Sequence, residues 1–115
     1  MILEHALLSV RPDQAEDFEA AFAEARPIIS SMPGFRSLSL SRGIETPDTY
    51  LLLVAWERLE DHVDGFHGSA GYTRWKQLLH HFYDPFPVVQ HFVAVVGDAT
   101  PHTSPAVTAS TPNRQ

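Results

Sequence analysis

The chain has 115 residues, of which 43% are hydrophobic, 10% aromatic and 19% charged. This globular composition excludes a wholly disordered chain and gives room for one domain rather than two. Fourteen acidic against eight basic residues leave a net charge of -6. Such a surface repels phosphate backbones and anionic membranes, so neither nucleic acid nor a membrane is an expected partner.

There is no cysteine, which excludes disulfides, thiolate zinc sites, iron–sulfur clusters and thiol nucleophiles. The opening MILEHALLSV carries an acid at Glu4 and no basic leader, so a signal peptide is not expected. The longest apolar run, Tyr50 to Trp56, is far below the roughly 20 residues of a membrane helix. A soluble, cytoplasmic protein is expected.

In chain order, Ile2 to Val10 alternates as a strand. Ile2, Glu4, Ala6, Leu8 and Val10 share one face; Leu3, His5, Leu7 and Ser9 share the other. Pro12 is expected to open a helix, where its missing N–H costs nothing. Ala15, Phe18, Phe22, Ala25 and Ile29 form its apolar stripe. Pro27 should kink or shorten it, and Met32-Pro33-Gly34 should stop it.

Phe35 to Arg42 reads as a second strand and Thr49 to Arg58 as a third, joined by the turn-forming Glu45–Asp48. Leu59 to His67 begins a second helical region, broken at Gly68-Ser-Ala-Gly71 and resumed by Tyr72, Trp75, Leu78, Leu79 and Phe82. Asp84-Pro-Phe-Pro87 ends it, and Val88 to Val96 is the last strand. Residues 98–115 hold three prolines, six Ser/Thr and no aromatic residue, so a flexible tail is expected beyond a folded domain of residues 1–97.

The order β-α-β-β-α-β predicts an α+β, ferredoxin-like plan: a four-stranded antiparallel sheet with both helices on one face. Strand three is apolar on both faces, and two helices cover only one. The uncovered face would exceed the apolar patch a monomer usually shows, so a two-fold homodimer, sheet against sheet, is expected. The alternative is a tail folded over that face.

This order, the Met32-Pro33-Gly34-Phe35 turn, the Trp56-Glu57 end of strand three and the broken segment Phe66-His-Gly-Ser-Ala-Gly-Tyr72 resemble the antibiotic biosynthesis monooxygenase family of dimeric α/β barrels. The resemblance covers about residues 1–96. It implies facing sheets in a dimer and a small pocket in each subunit between sheet and helices. The family's members include monooxygenases that use no metal or flavin, and haem-degrading enzymes. The haem-degrading branch has Asn, Trp and His where this chain has His5, Phe66 and Lys76, so haem degradation is not expected.

Histidine is the side chain suited to proton transfer near neutral pH, and there are seven. His5 and His91 lie mid-strand on strands that this plan makes adjacent. They are the candidate catalytic residues, a base and its orienting partner; the alternative is two half-buried imidazoles satisfied by backbone or by an acid such as Glu4. His62 and His67 are five apart, about 500° around an α-helix, and do not share a face. They therefore lack the i,i+4 spacing of a helical metal pair, and no metal site is expected. His80 and His81 suit a helix's last turn.

Phe66, Tyr72, Trp75 and Phe82 are the candidate substrate-binding residues for a flat aromatic ligand, with Tyr83 and Phe86 in the same set; the alternative is ordinary core. Arg36 and Arg42 could hold an anionic group or lie at a solvated rim. No Gly-rich phosphate loop or Gly-x-Ser-x-Gly elbow occurs, so neither a nucleotide cofactor nor serine-hydrolase chemistry is expected, and the resemblance implies a reaction with no cofactor. The expected function is a cofactor-independent monooxygenase acting with O2 on a phenol, hydroquinone or anthrone-like molecule. The alternatives are a non-catalytic ligand-binding barrel and an oxygen-independent isomerase or lyase.

Overall fold

Alternation along the first strand decides which side chains enter the core. In the computed structural model, which describes residues 1–97, β1 (Ile2–Ser9) buries Glu4, Ala6 and Leu8 and turns Leu3, His5 and Leu7 to the other face. The segment expected to be a flexible tail lies outside the described residues. α1 (Ala15–Ser30) buries the five stripe residues Ala15, Phe18, Phe22, Ala25 and Ile29. β2 (Phe35–Arg42) and β3 (Thr49–Trp56) follow. Next come a π-helical turn over Asp61–Phe66, α2 (Ala70–Leu79), a 3-10 turn over His80–Phe82 and β4 (Val89–Phe92).

The sheet order is β2-β3-β1-β4, with every neighbouring pair antiparallel. With two main helices this is the expected ferredoxin-like plan. Phe18 is the hub of the layer between α1 and the sheet. Its ring lies edge-on to Tyr50 at 4.9 Å, Phe82 at 5.6 Å and Tyr83 at 5.9 Å. Burying each such side chain contributes about 2–3 kcal/mol.

Three local expectations are corrected. Pro12 does not open α1: Asp13 takes a left-handed conformation at φ 65°, and the helix starts at Ala15. Pro27 lies inside α1 between fully buried Ala25 and Ile29, and the helix runs three residues past it to Ser30. The helical region that begins at Leu59 is there, but over Asp61–Phe66 it is a π-helical turn and does not keep the α-helical spacing.

The last strand spans Val89–Phe92 and not Val88–Val96. Phe92 pairs with Leu3, and β1 begins only one residue earlier at Ile2, so residues 94–97 have no facing strand in this sheet. Val93, Val95 and Val96 are exposed.

Gly34 earns its place at the entry to β2. Its φ is 84°, and a Cβ there would overlap the Asp61 carboxylate. Asp61 in turn accepts a hydrogen bond from the Arg58 N–H at 3.1 Å. The glycine therefore lets the start of the π-helical turn dock against the β2 entrance.

On the face away from the helices, Leu3, Leu7 and Phe92 are 39%, 54% and 49% exposed, beside half-buried Leu51 and Leu53. No helix among the described residues is long and apolar enough to cross a membrane.

Candidate active site

Between the inner sheet face and the helices lies a cavity of about 230 Å³. Ala6, Leu8 and Leu52 form its sheet wall; Phe66, Tyr72, Trp75, Tyr83 and Phe86 form its aromatic wall. Its polar groups are Glu4, His62, His67 and His80 beside the tyrosine hydroxyls.

Glu4 is 5% exposed. Its Oε1 accepts a hydrogen bond from Trp56 Nε1 at 2.9 Å and lies 3.4 Å from His62 Nε2. No Lys or Arg among the described residues is paired with it. Burial penalises the carboxylate and pushes the Glu4 pKa up to about 7, against the smaller opposing effect of the Trp56 bond.

His62 is 2% exposed and stacks on Trp56, the ring planes 21° apart. Burial, reinforced by His67 and His91, lowers its pKa to about 3, so it is neutral near pH 7. Its approach to Glu4 is therefore not an ion pair. Its Nδ1 lies 2.8 Å from His91 Nε2.

The π-helical turn builds half of this cluster. Its hydrogen bonds close between residues five apart, and His67 N–H donates to His62 O at 3.2 Å. Residues five apart are then brought together: the two imidazole centres are 4.4 Å apart. The α-helical spacing used for this pair in sequence does not apply. Ser69 closes the segment, donating to Phe66 O at 2.7 Å and accepting from the Tyr72 N–H. Tyr72 then lies 4.5 Å from the His67 ring, with Lys76 Nζ 5.1 Å from its own ring centre. Burial lowers the His67 and His80 pKa values, with His91 and Lys76 next in importance for His67, and Lys76 and His67 for His80.

The candidate pair His5 and His91 is not formed. Strands β1 and β4 are adjacent as expected, but the register opposes His91 to Glu4 and His5 to Gln90. A shift of one residue reverses the face. His91 therefore joins Glu4 and His62 on the inner face. His5 lies on the outer face, edge-on to Phe92 at 5.6 Å, with its buried Nδ1 lacking a hydrogen-bond partner.

Of the four candidate substrate contacts, Phe66, Tyr72 and Trp75 line the cavity. Phe82 does not: the 3-10 turn directs it to Phe18, while neighbouring Tyr83 reaches the cavity. Arg36 and Arg42 are remote, approaching Glu57 at 3.4 Å and Glu19 at 3.6 Å.

Glu4 and His62 are the residues that sequence reasoning passed over. A signal for Glu4 existed: it is the one acid on the apolar face of strand one. His62 had no comparable signal, because its placement depends on the π-helical turn. Among the described residues, no group of three or more His, Asp or Glu is arranged to hold a metal ion.

The model of the antibiotic biosynthesis monooxygenase family matches residues 1–78. The uncharacterized protein YczJ of Bacillus subtilis (strain 168) is 52% identical over 92 residues, spanning 80% of this chain and 97% of YczJ. The crystal structure of a provisionally named antibiotic biosynthesis monooxygenase from Bordetella bronchiseptica is 36% identical, with a TM-score of 0.79 over 83% of this chain and 97% of that one. A mutant of SnoaB, a cofactor-independent oxygenase from Streptomyces nogalater, shares the fold at 16% identity, with a TM-score of 0.75 over 86% of this chain and 97% of SnoaB. By the matched family model, the identity with YczJ and the common fold, the chain belongs to the antibiotic biosynthesis monooxygenase family.

Proposed function

We propose that this family member is a cofactor-independent oxygenase for a small electron-rich aromatic, a phenol or hydroquinone, with Glu4 as the general base. One observation carries the reading: Glu4 is a buried carboxyl with a pKa of about 7 in the wall of an aromatic cavity, with no Lys or Arg among the described residues paired to it. A base is most effective when its pKa lies near the working pH. Apolar walls keep a bound phenolate from being solvated, which favours its role as an electron donor. An apolar cavity of roughly 150 Å³ accommodates benzene, so about 230 Å³ suits a single substituted ring better than a three-ring anthrone.

The chemistry balances with O2 as oxidant and the substrate as reductant. Glu4 takes the phenolic proton. The phenolate passes one electron to O2, and the two radicals join in a C–O bond. The peroxide takes a proton back. The ring C–H proton then leaves as the O–O bond breaks, and the departing hydroxide is protonated to water. One phenol and one O2 become one quinone and one water, and Glu4 ends as a carboxylate.

The test is oxygen uptake in buffer containing a chelator, on a panel of phenols and hydroquinones, with wild type and Glu4→Gln beside each substrate's autoxidation. Uptake above autoxidation that survives chelation and is lost in Glu4→Gln supports the reading. Uptake unaffected by Glu4→Gln overturns the assignment of the base. Anaerobic turnover without uptake would instead support the isomerase or lyase reading, which the same carboxyl also suits.

The outer face supports a partner proposal. Leu3, Leu7, Leu51, Leu53 and Phe92 present an apolar surface that a second copy of the chain would cover, sheet to sheet.

A further inference from the structure

Glu4 is 5% exposed in the cavity wall, and before substrate arrives it must exchange a proton with water to become the carboxylate that acts as base. Glu4 has few ways to do so. Its Oε1 faces Trp56 Nε1–H, which is a donor only and cannot accept a proton, and His62. A ligand filling the cavity would cut off the remaining approach.

His62 offers a path in the other direction. Its ring is held by stacking on Trp56, with Nε2 toward Glu4 at 3.4 Å and Nδ1 toward His91 at 2.8 Å. His91 lies on β4, at the edge of the sheet, and is exposed. A buried carboxyl, a buried imidazole and an exposed imidazole thus follow one another, the first two in close approach and the last two hydrogen-bonded. The Glu4–His62 gap is a few tenths of an ångström longer than a good hydrogen bond.

We infer that His62 and His91 are a proton conduit joining Glu4 to solvent. The inference rests on Glu4 acting as the base of the proposed reaction. The proton leaves Glu4 Oε1 for His62 Nε2 as His62 Nδ1–H passes its own proton to His91 Nε2. His91, now an imidazolium, releases its Nδ1 proton to water. Glu4 is left ionised, and His62 is left neutral with its proton on Nε2. The reverse transfer returns a proton to Glu4 and restores the first tautomer. The line works between turnovers, because within the reaction Glu4 returns its proton to the peroxide.

The surroundings of His62 fit transit better than storage. The groups facing it are Glu4 from β1, His91 from β4 and His67 from its own turn, with Tyr72 and Lys76 of α2 beyond His67. Burial and the two neighbouring histidines disfavour its imidazolium. A concerted relay never forms that cation. His62 and His91 act through Glu4 and are positioning residues, because neither needs to touch the substrate.

The test needs no substrate. Full-length protein with 15N-labelled histidine is followed by NMR from pH 5 to pH 9, where the ring shifts report which His62 nitrogen carries the proton. The conduit requires Nδ1–H when Glu4 is protonated and Nε2–H when Glu4 is ionised, so the tautomer changes over the Glu4 titration. In Glu4→Gln, which keeps an acceptor for Trp56, the change should disappear. A single His62 tautomer across the whole range in wild type would overturn the conduit, as would a change that persists in Glu4→Gln. A structural hydrogen-bond chain would keep one tautomer. The outcome is separable from the oxygen assay: a fixed tautomer in an active enzyme defeats the conduit alone, whereas a switching tautomer without uptake defeats the oxygenase reading.

Discussion

Glu4 and His5 are neighbours in sequence and sit in opposite surroundings. Glu4 faces the helices, is 5% exposed and titrates near pH 7. His5 faces away from them, against Phe92 and among the outer leucines. By residue type, histidine is the better base at neutral pH. Burial reverses the ranking, because desolvation brings the carboxyl to the useful range and holds inner-face His62 far below it. The face of the sheet, more than the identity of the side chain, decides which residue can do the chemistry.

The largest expected effect sets the two residues directly against each other. Glu4→Gln should lower kcat by at least about 100-fold, since general-base catalysis is worth roughly 10²–10⁴-fold. His5→Gln should change it by less than about twofold on the same scale. Steady-state oxygen uptake on a responsive phenol measures both. A larger loss in His5→Gln than in Glu4→Gln would break the comparison.

Stability should move the opposite way. The Glu4 pKa is raised from 4.5 to about 7, so the folded state keeps a proton that the unfolded chain has lost. Folding is then progressively penalised as pH rises from 4.5 to 7, by about 3 kcal/mol above that range. His62 is the mirror case: lowered from 6.5 to about 3, its contribution is complete above 6.5 and is lost as pH falls toward 3. The two slopes cancel between 4.5 and 6.5, giving a plateau. Urea unfolding should find Glu4→Gln about 3 kcal/mol more stable than wild type at pH 8, and no more stable at pH 4. An equal difference at both values would show that burial does not strain Glu4.

The outer face carries its own prediction. Leu7 is 54% exposed in the single chain, so Leu7→Glu should leave the subunit folded. It should weaken a sheet-to-sheet dimer by about 2 kcal/mol per copy, because the new charge would be buried. Sedimentation velocity against concentration measures this, with circular dichroism as the check on folding. Wild type that stays monomeric at high concentration would remove the dimer proposal.

The smallest effect probes the π-helical turn. Ser69→Ala removes the N-cap acceptor of α2 and the hydroxyl donor to Phe66 O, and should cost about 1 kcal/mol. If this cap also holds the turn that carries His62 and His67, the histidine NMR signals should broaden or shift in the variant. Unchanged signals would make the cap a feature of α2 alone.

Much of the fold was legible in the residues. The alternation of β1, the five-residue stripe of α1 and the strand over Phe35–Arg42 depend on local periodicity, and the structure reproduces them. So does the pairing of β1 with β4, because the β-α-β-β-α-β order leaves few topologies. Phe66, Tyr72 and Trp75 were likewise visible as an aromatic cluster, and they line the cavity.

What the tertiary structure alone decided is register, turn type and burial. Register put His91 opposite Glu4 and separated it from His5, a one-residue matter that adjacency of strands does not settle. The π-helical turn brought His62 onto His67 against α-helical spacing. Burial turned an ordinary glutamate into a group that titrates near neutrality. Periodicity is written residue by residue along the chain. A pKa depends instead on what the rest of the molecule excludes from around one carboxyl, and that environment exists only once distant strands and helices have packed together.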